Sequence, residues 1–266
     1  MNYTSIHVDD FKRMKDERKK ITALTAYSSL YAAFLDEAGI DLILVGDSLG
    51  NVFQGRETTI PVTLEEMIYH GEIVARSVSK SFVVVDMPFM SYQVNAEDAL
   101  RNAGAVMKRT GCNAVKLEGG KTIKETIRKI VDTGIPVLAH IGLTPQSVNA
   151  LGGYKVQGRE DRKRIIEDAE AVEEVGAFAV VMEKIPRSLA GEITKKLSIP
   201  TIGIGAGSMC DGQILVTEDL LGLFREYKPK FVRKYADLAD VALKGLGQYI
   251  EDVKNGVFPS DEESYE

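Results

Sequence analysis

Five polar residues in this chain each end a short apolar segment, and all five are of types that bind metal ions or move protons. In chain order they are Asp47, Asp86, Glu118, His140 and Glu183. If their carboxylates came together they would repel one another, so they would need a cation or would have to take up protons. Any one of them alone could instead cap a helix or pair with a buried charge. Five in succession favour a chemical site.

Three of these residues, Asp47, Asp86 and Glu118, offer only oxygen ligands. Hard oxygen ligands suit Mg²⁺ or Mn²⁺, whereas Zn²⁺ usually prefers nitrogen and sulfur. His140 is the only one of the three histidines that ends an apolar segment, and we predict surface or packing roles for His7 and His70. Because Mg²⁺ usually keeps positions open for water or substrate, a bidentate 2-oxo acid could fill two of them.

Two further residues extend this candidate site. Lys116 precedes Glu118 by two residues, so on a strand both side chains point to the same face. A lysine facing a core needs an anionic partner, which could be a substrate carboxylate, the carboxylate cluster or a purely structural ion pair. Ser48 directly follows Asp47, and its hydroxyl and backbone N–H could hold a substrate oxygen or only cap a helix.

The segments that carry these residues are short, apolar and β-branched, as buried parallel strands are. Predicted strands lie at 22–27, 42–47, 82–86, 114–118, 136–140, 178–183, 200–205 and 213–216. Predicted helices lie at about 8–19, 63–78, 95–110, 121–134, 159–176, 188–197 and 235–256. Two of them begin with capping signals, Thr63 with Glu66 three residues later and Asn95 with Asp98 three residues later.

Eight strands alternating with helices predict an α/β fold, a (β/α)8 TIM barrel with extra N-terminal and C-terminal helices. The alternative is a doubly wound open sheet, but no Gly-x-Gly-x-x-Gly follows the first strand. We predict one domain over residues 1–266, with a flexible acidic tail at about 258–266. The glycine-rich segment 203–213 could bring a phosphate close to the backbone or only allow tight packing.

Composition and charge limit the kinds of molecule that this chain is expected to bind. A net charge of -6 and a pI of about 5.3 argue against nucleic acid and anionic membranes as partners. The sequence has no apolar run long enough to span a bilayer, and its first twenty residues are too charged for a secretory signal peptide. Cys112 and Cys210 are predicted to be buried thiols, with a disulfide or a nucleophile as the alternatives. These features predict a cytoplasmic protein.

Several motifs resemble those of the ketopantoate hydroxymethyltransferase family, and they occur in the family's order from about residue 22 to 235. They are GDSLGNVFQGRETTIPVTLEEMIYH, DMPFMSYQ, VKLEGG, HIGLTPQSVNALGGYKVQGR and IPTIGIGAGSMCDGQILVTEDLLG. The resemblance implies one Mg²⁺ per subunit, with the ligands Asp47, Asp86 and Glu118. It implies that the 2-oxo acid is held by Asp47, Ser48, Asp86 and Lys116. It makes Glu183 the proton acceptor and places His140 in the active site as a substrate-binding residue, with its role in the reaction left open.

The resemblance also implies a reaction and an assembly. A hydroxymethyl group would pass from 5,10-methylenetetrahydrofolate to 3-methyl-2-oxobutanoate through a Mg²⁺-stabilised enolate, in pantothenate biosynthesis. The assembly would be a homodecamer. One alternative is another Mg²⁺-dependent barrel that resembles the isocitrate lyase and phosphoenolpyruvate mutase group, although that group's cysteine-containing catalytic loop motif is not apparent here. A second alternative is a non-catalytic, anion-binding barrel whose carboxylates are structural.

Overall fold

The computed structural model describes residues 5–225 and 229–266. The chain divides into two compact units, Met1–Leu215 and Val216–Glu266, and each is described by itself. In the first unit eight parallel strands pair in chain order and β8 pairs with β1, which closes a barrel. The strands are β1 Ile21–Thr25, β2 Leu42–Val45, β3 Phe82–Asp86, β4 Ala114–Glu118, β5 Val137–Gly142, β6 Ala179–Glu183, β7 Thr201–Ile204 and β8 Gly212–Leu215. The predicted (β/α)8 barrel is confirmed, and the open-sheet alternative is wrong.

Helices separate most successive strands along the chain, but β7 and β8 are joined without one. In the first unit the helices are α1 Val8–Asp16, α2 Ser29–Ala38, α3 Leu49–Val52, α4 Leu64–Ala75, α5 Ala96–Thr110, α6 Lys124–Val131, α7 Arg162–Glu174 and α8 Arg187–Lys196. The second unit contains α9 Thr217–Leu220 and α10 Leu238–Lys254. Short 3-10 helices lie at Lys121–Ile123, Pro145–Ser147 and Asp261–Glu263. Within the described residues, no helix is both long enough and apolar enough to cross a membrane. The single domain and the flexible tail stay predictions.

The capping signals mark helix starts correctly. Thr63 Oγ1 accepts a hydrogen bond from the N–H of Glu66, and a Glu66 carboxylate oxygen accepts one from the N–H of Thr63. At the start of α5, Asn95 Oδ1 accepts a hydrogen bond from the N–H of Asp98. Helix α2 was not predicted, because its Leu30 and Phe34 are exposed and blur the amphipathic pattern. Helix α1 ends earlier than the predicted residue 19, just before Arg18 adopts a left-handed φ of 56°.

The barrel interior is apolar near the amino ends of the strands and polar near their carboxyl ends. Side chains on a strand alternate between faces, so residues two apart share the interior. On β3 the apolar Phe82 and Val84 precede Asp86, and on β6 the apolar Val181 precedes Glu183. The apolar layers belong to one buried cluster, which therefore forms the floor beneath the polar side chains.

Helix α1 adds its one buried residue, Phe11, to the same cluster. The Phe11 ring lies edge-on to Phe82, with ring centroids 5.1 Å apart, and 5.6 Å from the ring of Phe178. Because Phe82 is the first residue of β3 and Phe178 directly precedes β6, these contacts place α1 at the amino end of the barrel. Water is thus excluded from that end.

Asp36, near the end of α2, fastens this helix to the segment that leads into β3. Its carboxylate accepts hydrogen bonds from the backbone N–H groups of Ser79, Lys80 and Ser81 and from the Ser79 hydroxyl. Burial alone would raise the pKa of Asp36, but the N–H donors outweigh burial and lower the pKa from 3.8 to about 2.

Replacing this carboxylate should weaken the fold. We expect Asp36→Asn to lower the free energy of unfolding by about 2–3 kcal/mol, because the new amide cannot accept all of these N–H donors. In the unmodified protein the contribution is complete above pH 3.8 and is lost as pH falls toward about 2, since the folded pKa is the lower one. Urea unfolding at several pH values measures both effects.

The matched control is Glu37→Gln, which removes a charge from the exposed neighbouring residue on the same helix. That variant should unfold like the unmodified protein. Equal urea midpoints for Asp36→Asn and Glu37→Gln would show that the Asp36 contacts do not stabilise the fold.

Candidate active site

Six titratable side chains meet at the carboxyl end of the barrel, and we call them the polar cluster. They are Asp47, Asp86, Lys116, Glu118, His140 and Glu183. The parallel register explains their approach, because Asp86 on β3 is paired with Lys116 on β4, and Glu118 on β4 is paired with His140 on β5. The structure thus brings together side chains that were predicted to share one site.

Asp47 reaches the cluster from a turn and not from a strand. The predicted strand 42–47 is wrong at its end, since β2 stops at Val45. Asp47 is nevertheless buried, and its backbone N–H donates to Oδ2 of Asp86 over 2.9 Å. Gly46 permits this turn, because a Cβ there would lie 2.7 Å from Oγ of Ser48. The Ser48 hydroxyl lies 2.7 Å from the hydroxyl of Tyr27.

Lys116 is the cation at the centre of the cluster. Its Nζ lies 2.7 Å from Oδ1 of Asp86 and 3.8 Å from Oε1 of Glu118. Burial disfavours the ammonium form, but the charges of Asp86, Glu118 and Asp47 outweigh burial and raise the pKa of Lys116. The side chain is 4% exposed, so it remains a buried ammonium ion held by carboxylates.

His140 lies between two glutamates. Its Nδ1 is 3.5 Å from Oε1 of Glu118, and its Nε2 is 3.4 Å from Oε2 of Glu183. Burial and the Lys116 charge both lower the pKa of His140, but its contacts with Glu118 and Glu183 outweigh them and raise the pKa to about 9. Nδ1 also lies 3.3 Å from Lys116 Nζ, so the ring contacts the ammonium group as well as the two carboxylates.

The cluster contains more carboxylates than basic side chains, and this excess of negative charge favours the protonated form of a buried carboxylate. Burial, followed by the charges of Glu118 and Asp86, raises the pKa of Asp47 to about 8. Burial also raises the pKa of Asp86. Burial would raise the pKa of Glu118 too, but His140 and Lys116 outweigh it and lower that pKa. A cation held beside Asp47 and Asp86 would oppose the rise in pKa of both carboxylates.

The donor chemistry of the cluster fits Mg²⁺, although no closed cage is formed. Among the residues that the structure describes, no group of three or more His, Cys, Asp or Glu side chains is spaced to hold a metal ion by itself. Glu118 Oε1 is buried and has no hydrogen-bond partner within the same residues. Mg²⁺ commonly binds through one or two carboxylates and keeps several waters, so a closed cage is not required.

Sequence reasoning missed several polar residues that the loops bring to the cluster. Gln146 Nε2 donates to Oδ2 of Asp47 over 3.0 Å, and the Tyr92 hydroxyl accepts from the N–H of Glu118 over 3.1 Å. Both lie in motifs quoted above, DMPFMSYQ and HIGLTPQSVNALGGYKVQGR, but loops carry no periodicity that would direct their side chains inward. The only signal was their position after strands that end in the cluster.

The remaining sequence predictions concern packing. His70 is buried, and its Nδ1 lies 2.7 Å from the carbonyl oxygen of Tyr27, so its packing role is confirmed. His7 is exposed and precedes α1 as its N-cap residue. Cys112 and Cys210 are buried free thiols, as predicted.

The glycine-rich segment 203–213 is closely packed. A Cβ on Gly203 would lie 2.8 Å from Sγ of Cys210, and one on Gly212 would lie 2.6 Å from the carbonyl oxygen of Ile21. These contacts support the packing alternative for this segment.

Solved structures share this fold at low sequence identity. A phosphonopyruvate hydrolase superposes with a TM-score of 0.62 at 14% identity, covering 97% of this chain and 93% of that chain. A 2,3-dimethylmalate lyase superposes with a TM-score of 0.61 at 17% identity, covering 98% and 93%. Identity this low supports the barrel fold and not a shared activity.

Sequence comparison identifies much nearer relatives. The 3-methyl-2-oxobutanoate hydroxymethyltransferase of Chlorobium phaeobacteroides is 57% identical over 258 residues, which cover 95% of this chain and 93% of that protein. The enzyme of the same name from Syntrophotalea carbinolica is 55% identical, covering 96% and 97%. The family model for ketopantoate hydroxymethyltransferase matches residues 5–261. The chain therefore belongs to the ketopantoate hydroxymethyltransferase family and is a hydroxymethyl-transferring enzyme of the ketopantoate type, which implies a role in pantothenate biosynthesis.

Proposed function

We propose that this enzyme transfers a hydroxymethyl group from 5,10-methylenetetrahydrofolate to C3 of 3-methyl-2-oxobutanoate. With one water consumed, the products are 2-dehydropantoate and tetrahydrofolate. The proposal is supported by the names of the relatives and above all by the polar cluster. There a buried ammonium group lies 2.7 Å from the Asp86 carboxylate, and Nε2 of His140 lies 3.4 Å from the Glu183 carboxylate. Such a cluster suits removal of a proton beside a ketone.

A divalent cation fits the carboxylates of Asp47, Asp86 and Glu118. Mg²⁺ held there would stabilise negative charge on the keto and carboxylate oxygens of the substrate. A cation beside Asp47 would also favour the ionised form of that carboxylate, whose pKa is otherwise raised to about 8 by burial and by Glu118 and Asp86. The oxygen ligands and the raised pKa of Asp47 thus both favour a divalent cation at this position.

Lys116 and Ser48 would bind the oxygens of the 2-oxo acid. The Lys116 ammonium group is already buried and positioned by Asp86, so it can stabilise developing negative charge without reorganising. Ser48 follows Asp47 directly, and Tyr27 holds its hydroxyl. The structural alternative for Lys116, an ion pair, is compatible with this role, because the same pair positions the ammonium group.

Glu183 would accept the C3 proton. It ends β6 on the interior side of the barrel, and its side chain is 14% exposed, so a substrate in the barrel mouth can reach it. His140 Nε2, which is 3.4 Å from Glu183 Oε2, would restrict the orientation of this carboxylate. His140 is thereby assigned a positioning role, which the sequence left open.

A homodecamer in the cytoplasm completes the proposal and rests on the family resemblance. One feature of the second unit supports self-association. Helix α10 has no buried residue in the structure as described, yet it exposes the apolar residues Val241, Leu243, Leu246, Tyr249, Ile250 and Val253. Exposed apolar surface of this extent typically marks a protein interface.

Removing the proposed base should stop proton abstraction. We expect Glu183→Gln to slow deuterium exchange at C3 of 3-methyl-2-oxobutanoate by about 10²–10⁴-fold, because the amide cannot accept the proton. Proton NMR in D₂O with Mg²⁺ and without folate measures this exchange. The variant should still bind the keto acid in calorimetry.

The control is Glu37→Gln. Glu37 is exposed near the C-terminal end of α2 and is not part of the polar cluster, so this variant should exchange at the unmodified rate. Exchange at the unmodified rate in Glu183→Gln would remove Glu183 from the role of base.

Removing one proposed ligand should weaken metal binding. We expect Asp86→Asn to raise the Mg²⁺ concentration needed for keto-acid binding by at least about tenfold, because it removes one anionic ligand while keeping the side-chain shape. Calorimetric titration of Mg²⁺ into protein with 3-methyl-2-oxobutanoate measures the change.

Asp132→Asn is the matched control, since Asp132 is exposed just after α6 and precedes β5. A Mg²⁺ titration of Asp86→Asn that overlays the unmodified protein would contradict the ligand assignment.

A further inference from the structure

Gln146 uses every polar atom of its side chain within the barrel mouth. Its Nε2 donates to Oδ2 of Asp47 and to the carbonyl oxygen of Met87, each over 3.0 Å. Its Oε1 accepts from the Tyr92 hydroxyl over 2.7 Å and from Gln93 Nε2 over 3.0 Å. Gln146 is 4% exposed, so these contacts are made away from solvent. A buried amide with four partners is held in a single orientation.

The partners also determine which end of the amide faces Asp47. The carbonyl oxygen of Met87 can only accept, so the atom beside it must be the amide nitrogen. The same nitrogen therefore donates to Asp47. The oxygen of the amide must then face Tyr92 and Gln93, both of which can donate.

The backbone of Gln146 contacts a second carboxylate. Its N–H donates to Oε2 of Glu118 over 3.0 Å. Gln146 is the middle residue of the 3-10 helix Pro145–Ser147, and Pro145 before it fixes φ at the start of this turn. One residue from the loop after β5 thus contacts Asp47, which follows β2, and Glu118, which ends β4.

These contacts occupy one oxygen of each carboxylate. For Glu118 they leave Oε1 without a hydrogen-bond partner among the residues described, with Lys116 Nζ at 3.8 Å and His140 Nδ1 at 3.5 Å. Glu118 is thus oriented with one oxygen satisfied by Gln146 and the other available for a ligand.

We propose that Gln146 is a positioning residue that orients Asp47 and Glu118 together for a divalent cation, and that Tyr92 holds Gln146 in place. This inference rests on the proposed function, because it concerns the cation assigned to these carboxylates. Residues that orient metal ligands typically change metal affinity by 10–100-fold when they are altered. A change in the conformation of the loop after β5 would thereby change the orientation of the metal ligands.

The first test is Gln146→Met, which keeps the length of the side chain but removes the amide. The backbone N–H to Glu118 remains, so the variant removes the contact with Asp47, along with those to Met87, Tyr92 and Gln93, and keeps the contact with Glu118. We expect Mg²⁺ affinity, measured by calorimetry with 3-methyl-2-oxobutanoate present, to fall by at least about tenfold. Saturating Mg²⁺ should restore most of the C3 exchange rate, because Gln146 is not assigned to proton transfer.

Gln157→Met is the matched control. Gln157 lies in the same loop, but its side chain bonds to the Lys155 carbonyl oxygen and to Arg164 and not to the polar cluster. It should leave Mg²⁺ affinity unchanged. A folded Gln146→Met variant whose Mg²⁺ affinity is within twofold of the unmodified protein would overturn the proposal, even if its melting temperature fell.

Tyr92→Phe provides a second variant that does not depend on the folding of the first. The Tyr92 hydroxyl contacts Gln146 Oε1 and the N–H of Glu118, so its loss should lower Mg²⁺ affinity in the same direction. Combined with Gln146→Met, the two effects should be less than additive, as for residues of one network. Fully additive effects, or unchanged affinity in Tyr92→Phe, would contradict the proposed support by Tyr92.

The outcome for the unmodified protein separates this inference from the proposed function. If the unmodified protein shows no Mg²⁺ binding in the presence of the keto acid, both are wrong. If it binds Mg²⁺ and Asp86→Asn weakens binding while Gln146→Met does not, only the positioning role is wrong.

Discussion

The buried ion pair between Lys116 and Asp86 is the interaction on which the rest of the candidate site depends. A carboxylate and an ammonium group out of water are each costly, and only close pairing makes their burial tolerable. At 2.7 Å the pair meets that condition, and it keeps Lys116 charged beneath the other carboxylates. Without that ammonium group, Asp47, Asp86 and Glu118 would lose a nearby positive charge that lowers the pKa of each, and more of them would take up protons.

The barrel makes this pairing possible because its register is fixed. A slip of one residue between β3 and β4 would turn Lys116 away from Asp86 and would place Glu118 outside the barrel. The apolar layers below the cluster, together with Phe11 of α1, fill the amino end and oppose such a slip. Stability and chemistry therefore depend on the same strands, with the floor contributing burial and the carboxyl ends contributing charge.

The parts predicted from sequence are those governed by periodicity. Five members of the polar cluster lie on strands: Asp86, Lys116, Glu118, His140 and Glu183. Alternation along a strand determines whether a side chain points into the barrel, and its distance from the strand end determines how near it lies to the barrel mouth. Asp47 was found by the same rule although β2 ends two residues earlier, because Gly46 turns the chain toward Asp86. Gln146 and Tyr92 could not be found in this way. Their inward direction depends on a 3-10 turn and on long-range hydrogen bonds, which a single sequence does not encode as a repeat.

Loop residues are also the part of a barrel that can differ while the fold stays the same. A phosphonopyruvate hydrolase and a 2,3-dimethylmalate lyase share this fold at 14% and 17% identity, so the strands alone do not determine the activity. A buried ammonium group among carboxylates can stabilise charge on many small acids, whereas the loops after the strands determine which ligand oxygens are free and which atom meets the base. In this chain the loop after β5 contributes Gln146, which contacts Asp47 and Glu118 at once. Selectivity in this site would therefore depend on its loops, while the ion pair of Lys116 and Asp86 supplies the buried charge.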